Sequence, residues 1–267
     1  PIFYAPPGRT SGKLLVLPFK PVQKMSASSK PLAIITGGAV RLGQVIALSL
    51  ANAGYTIGLH YHTSEAAAHQ TARQLSAQDA LAFLHSADLR DPAQVDALFA
   101  RSAETGLPLR VLINSASVMT RADILQMPVS EWDDTLALNL RAPWLCARCA
   151  AKQMDAAGGV IVNLTDAGAG RVWTNYPAYI ISKSGLDTLT RLLARALAPR
   201  IRVNAVAPGL ILPSADMSPS EWDRLVDRTP LKKAGDPQAI ADAVHFLINN
   251  PHITGQTLVV DGGYQLI

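Results

Sequence analysis

From Pro31 onward, short continuous apolar runs alternate with longer stretches in which apolar residues recur every three to four positions. An uninterrupted apolar run of a few residues marks a strand buried on both faces, and the longer period marks an amphipathic helix. Strands are predicted over residues 32–36, 55–60, 81–85, 109–113, 160–164, 201–206 and 257–260. Helices are predicted between them: one from the glycine-rich turn to about residue 52, then 65–74, one opening at Asp91-Pro92, a long one over 130–154, and 178–197. Ser218-Pro219-Ser220-Glu221 reads as a capping box for a short helix, and Asp236-Pro237 opens another to residue 248. Strict strand–helix alternation implies right-handed crossovers and a parallel sheet. The expectation is an α/β chain with a doubly wound, mostly parallel seven-stranded sheet forming a single domain over 31–267.

Composition narrows the classes of function. The chain has 267 residues, 49% hydrophobic and 16% charged, with a mean hydropathy of +0.17. No apolar stretch approaches the roughly 20 residues that a membrane span needs. The net charge of +4 is spread without basic–aromatic runs, so no nucleic-acid partner is expected. Cys146 and Cys149 form a C-x-x-C inside a predicted helix with no second ligand pair, which reads as small buried helix residues and no metal. The lack of a disulfide framework fits a reducing, cytoplasmic setting. The first 25 residues hold five prolines, and no acid occurs before Glu65. Residues 1–30 are therefore expected as a flexible or peripheral extension, with Met25 as a natural start.

In a doubly wound sheet the ligand lies beyond the carboxyl ends of the strands, near the switch point. The first strand runs into Thr36-Gly37-Gly38-Ala39-Val40-Arg41-Leu42-Gly43, where Gly37, Arg41, Leu42 and Gly43 are candidates to hold a pyrophosphate at a helix N-terminus. The second strand leads into His60-Tyr61-His62-Thr63-Ser64 with no acid for ribose hydroxyls. His60, His62, Thr63 and Ser64 suit a 2′-phosphate, favouring NADP(H), although helix capping also accounts for them. Asp88-Leu89, Asn114-Ser115-Ala116-Ser117, Pro208-Gly209 and Ile211 fall at the same edge. Beyond the fifth strand stand Asp166, Tyr179 and Lys183. Tyr179 and Lys183 at i, i+4 share a helix face, and the ammonium is expected to draw the phenol's pKa down toward proton transfer. Asp166 lies thirteen residues before Tyr179 and is either a partner in proton transfer or a turn residue capping Gly168 or Gly170.

These marks, with Asn139, Thr254-Gly255-Gln256 and Asp261-Gly262-Gly263, resemble the short-chain dehydrogenase/reductase family over 31–267. Arg41 in place of the middle glycine, Asp166 in place of the usual serine, and the His-Tyr-His-x-Ser segment are similar to its pteridine reductase branch. The resemblance implies a Rossmann fold, NADPH, a small pterin substrate and a homotetramer built through the helices around 130–154 and 178–197. It gives catalytic roles to Asp166, Tyr179, Lys183 and Asn139, the last positioning Lys183. It puts Arg41, Ser117, Met119, Asp166 and Tyr179 against substrate, and a mobile lid at 213–230. Thr63 stands where such enzymes commonly have an arginine, and Met119 where they stack a phenylalanine. The rival within the family is a carbonyl or 3-oxoacyl-thioester reductase; the rival outside it is a non-catalytic NADP-binding protein.

Overall fold

The computed structural model describes residues 30–154, 158–171, 173–214 and 217–267. The expected N-terminal extension therefore lies, apart from Lys30, outside the described residues, as do two residues of the expected lid. Seven strands form one sheet: β1 Leu32–Thr36, β2 Thr56–Tyr61, β3 Ala82–Ser86, β4 Leu109–Asn114, β5 Gly159–Leu164, β6 Ile201–Pro208 and β7 Thr257–Val260. Their order is β3-β2-β1-β4-β5-β6-β7, and all six pairings are parallel. The order reverses between β1 and β4, which opens the crevice where such sheets take ligands.

Period-two alternation sends the strand side chains to opposite faces. Ala33 and Ile35 of β1 pack into one core with Val160, Val162 and Leu164, while Leu32 and Ile34 pack into the other with Leu112 and Ile161. The first core is covered by α1 Arg41–Asn52, α2 Glu65–Ser76 and α8 Pro237–Asn249, through Ile46, Leu50 and Val244. The second is covered by α3 Pro92–Glu104, α5 Ala142–Met154 and α6 Pro177–Leu197, through Phe99, Cys146 and Ala194. Each fully buried aliphatic contributes roughly 1.5–3 kcal/mol. The central strands thus hold the sheet, and the loops at their carboxyl ends are left to function.

One predicted element differs. The long helix over 130–154 is two helices, α4 Val129–Leu136 and α5, joined by a π-helical turn over Ala137–Arg141. Pro143 lies four residues after Asn139 and has no N–H to donate to the Asn139 carbonyl, so a regular α-turn cannot close there. The turn widens instead, and the Ala142 N–H reaches back five residues to Ala137 O. Three of the expected N-cap residues cap their helices. Asp91 accepts from Ala93 N, Ser218 from Glu221 N and Asp236 from Gln238 N. α7 is Pro219–Arg228.

Candidate active site

Beyond β1 the chain turns sharply at Gly37, whose φ is 62°. A Cβ there would lie 2.9 Å from Ala116 Cα, and one on Gly43 would lie 2.2 Å from Gly37 O. Only glycine fits either place. Thr36 Oγ1 accepts from Ser115 N at 3.0 Å and Ala116 N at 3.1 Å, fastening the β4 turn to the β1 turn. The N-cap of α1 is Val40, whose side chain cannot accept a hydrogen bond. The first N–H groups of α1 therefore lack a side-chain cap and are open to an anion, in contrast to the Asp- and Ser-capped starts of α3, α7 and α8. A pyrophosphate fits this cradle. Arg41 holds a left-handed φ of 54° and donates from Nη2 to Leu212 O at 3.2 Å and Pro213 O at 3.0 Å. It bridges the turn to the loop after β6.

At the end of β2 the four expected phosphate ligands separate. His62, Thr63 and Ser64 are exposed at the start of α2, and the Ser64 side chain makes no capping bond. His60 is instead buried, with both ring nitrogens engaged: Nδ1 takes the Gly37 N–H at 3.0 Å and Nε2 bonds Ala87 O at 2.9 Å. Burial draws its pKa down to about 4, so the ring is neutral. The expectation that its ring contacts a 2′-phosphate is corrected. Asp88 is gripped by Arg90 through both oxygens, at 2.9 and 2.8 Å, and that guanidinium lowers the carboxyl pKa. The side chains of Leu89 and Ile211 are buried in the core. Asn114 lies at the buried end of β4 and donates to Asn163 Oδ1 at 2.8 Å. Pro208 O takes the Ala167 N–H, and Gly209 lies so close to Asp261 that a Cβ would come within 2.6 Å of its Cα.

Asp166 and Tyr179 meet. The phenol Oη donates to Asp166 Oδ2 at 2.7 Å, and Gly168 N donates to Asp166 Oδ1 at 2.6 Å. One carboxylate oxygen thus meets Tyr179 while the other caps Gly168, as the turn reading expected. Lys183 is buried; its Nζ donates to Leu164 O at 2.8 Å and stands 5.6 Å from the centroid of the Tyr179 ring. The charge pattern corrects one expectation. Tyr179 is raised well above the phenol range, first by burial and then by the Asp166 charge and hydrogen bond. Burial likewise raises Asp166 against the opposing pull of Tyr179, Gly168 and Lys183. Burial lowers Lys183 to about 8, the Asp166 carboxylate opposing. The phenol is thus held protonated, as a proton donor requires. Asn139 does not bond Lys183 directly. Its amide exchanges hydrogen bonds with Val118 N and O at 2.9 and 2.8 Å and donates to Ser182 Oγ at 3.1 Å, one residue from Lys183.

Sequence reading missed an aromatic cluster beside Asp166. The Trp173 ring lies over Gly168, where a Cβ would meet it at 2.3 Å and Asp166 Oδ1 at 2.9 Å. Trp173 makes edge contacts with Tyr176 and Tyr264, and Arg171 stacks over Tyr264 and donates to its carbonyl. Met119, half-buried, and Ser117, exposed, lie on the loop after β4. Only a tryptophan seven residues after Asp166 signalled the cluster in advance. Cys146 and Cys149 are buried helix residues, the Cys146 thiol pushed up by burial and Cys149 donating to Asp96.

A parallel doubly wound sheet with an open anion cradle at its switch point, and a buried acid–phenol–ammonium cluster beside it, defines a dinucleotide-dependent oxidoreductase. The family model described as Enoyl-(Acyl carrier protein) reductase matches residues 38–265. The chain is 34% identical over 240 residues to 3-oxoacyl-[acyl-carrier-protein] reductase FabG of Staphylococcus aureus (strain Mu50), covering 86% of this chain and 96% of that enzyme. It is 35% identical over 238 residues to carbonyl reductase family member 4 of Danio rerio, covering 88% and 98%. Among solved structures it is similar to FolM alternative dihydrofolate reductase 1 from Brucella canis complexed with NADP. That match has a TM-score of 0.85 and 32% identity, over 90% of this chain and 95% of that one. The protein belongs to the short-chain dehydrogenase/reductase family.

Proposed function

We propose that the protein reduces a C=N bond of a dihydropterin or dihydrofolate-like substrate, with NADPH as hydride donor and Tyr179, Asp166 and Lys183 managing the proton. The carrying observation is the 2.7 Å hydrogen bond from Tyr179 to Asp166, a carboxyl held in the interior where burial favours its protonated form. A ring nitrogen accepts a proton as its adjacent carbon accepts hydride, and a protonated phenol hydrogen-bonded to a buried carboxyl provides that proton. The similarity to the NADP-bound FolM structures supports both the cofactor and the substrate class. The exposed His62, Thr63 and Ser64, with no acid among them, suit a 2′-phosphate. Bound NADPH would supply the hydride. The chain itself would orient the dinucleotide at Gly37–Gly43 and the first turn of α1, and hold the ribose through Lys183. Arg41, Ser117 and Met119 would line the substrate's side of the site.

A second reading, reduction of a 3-oxoacyl thioester or other carbonyl, is favoured by the relatives that carry those names. Steady-state NADPH oxidation with a 7,8-dihydropterin and with an acetoacetyl thioester separates the two. Dihydropterin turnover is expected, falling at least about a hundredfold in Tyr179→Phe. Asp166→Ser is expected to lose pterin turnover by about tenfold or more, and thioester turnover as the main activity would reject the pterin reading. We also propose a homotetramer: Leu140, Trp144, Leu189 and Leu192 line a shallow apolar groove between the π-helical turn, α5 and α6.

A further inference from the structure

His60 was expected to touch the cofactor, yet its ring is turned inward. Two consecutive amides of the β1 turn end on this one residue. Gly37 N donates to His60 Nδ1 at 3.0 Å, and Gly38 N donates to His60 O at 2.9 Å. On the far side Nε2 bonds Ala87 O at 2.9 Å, just before Asp88. Because Nδ1 accepts from an amide, it carries no proton; the proton sits on Nε2 and is donated to the carbonyl. The residue is 2% exposed, so neither nitrogen has water to fall back on. The single imidazole therefore ties the turn after β1 to the turn after β3 across the end of β2.

We infer that His60 is a positioning residue for the dinucleotide, fixing the Gly37 amide and, through it, the pyrophosphate turn. Gly37 has little freedom elsewhere: a Cβ there would lie 2.9 Å from Ala116 Cα, and its φ is positive. Loss of the Nδ1 acceptor strands a buried N–H, which relaxes by rotating the peptide at the entrance to α1. That rotation tilts the N–H groups that an anion needs. The Nε2 contact, by contrast, serves the packing of β2 on β3. The inference rests on dinucleotide binding, the part of the functional reading that does not depend on the substrate.

The two ring nitrogens are separable by substitution, because an asparagine amide overlays Nδ1 and a glutamine amide overlays Nε2. His60→Asn keeps an acceptor for Gly37 and loses Ala87; His60→Gln keeps the Ala87 contact and strands Gly37. The full chain is titrated with NADPH by calorimetry, and Tm is recorded without cofactor. His60→Asn is expected to bind within about threefold of the parent, and His60→Gln about tenfold more weakly, at comparable Tm losses. In steady state the His60→Gln defect falls on KM for NADPH, with kcat within about twofold. Equal NADPH affinity in the two variants, or affinity that simply follows Tm, overturns the role of His60 while leaving the proposed activity intact. A parent protein that binds no NADPH overturns both.

Discussion

Lys183 sits in the interior with its ammonium on the Leu164 carbonyl, and desolvation outweighs the favourable Asp166 charge to bring its pKa to about 8. The sign follows directly. Below that value the side chain is a cation facing the phenol, able to hold a ribose as proposed; above it the charge is gone. The ratio kcat/KM, which reports the free enzyme, is therefore expected to fall as pH rises through about 8. A profile from about pH 6 to 10 checks it, and Lys183→Arg, charged throughout, should lack that limb. A limb that persists in the arginine variant assigns the titration to another group. At this scale the sequence was unevenly legible. The Tyr179–Lys183 pairing is local helix geometry, readable from spacing alone. The direction of the Tyr179 shift was not, because it depends on burial and on an acid thirteen residues back that only the β5–α6 turn brings near. The two nitrogens of His60 likewise find their partners 23 and 27 residues away.

Among the elements, the strands were the most legible, since a strand buried on both faces advertises itself as an apolar run, and β1 and β7 fall where expected. The break in the helix over 130–154 was missed although its cause was in view: Pro143 stands four residues after Asn139. Amphipathic periodicity runs through the interruption, so the pattern alone conceals it. Restoring the missing donor is a direct test. Pro143→Ala should let the turn close toward α geometry, stabilise the helix, and swing the Asn139 amide away from Val118 and Ser182. Reductase kcat is expected to fall about tenfold while Tm holds or rises. Unchanged kcat would mean that the wide turn serves packing alone.

For the whole molecule, strand–helix alternation predicts the parallel sheet, but not its surface of assembly. α6 approaches the π-helical turn so closely that a Cβ on Gly185 would come within 2.9 Å of Leu140 Cδ2. The groove beside them leaves Trp144 and Leu192 exposed at 44% and 62%, apolar area of the kind that a second copy covers. If the proposed tetramer forms, the parent shows its mass by light scattering and Leu192→Glu gives smaller species with the circular dichroism unchanged; a smaller parent mass rejects the tetramer, and an unaltered variant mass moves the interface elsewhere. The strand order carries a cost of a different kind, in biosynthesis. β1 is flanked by β2 on one edge and β4 on the other, and Thr36 bonds Ile113 across 77 residues. A nascent chain emerging at about 5–20 residues per second leaves that second edge of β1 uncovered for roughly 4–15 seconds. During that interval an apolar strand with unpaired amides is open to pairing with other chains. Overproduction at reduced temperature, or with chaperones that mask strand edges, should therefore raise the soluble yield.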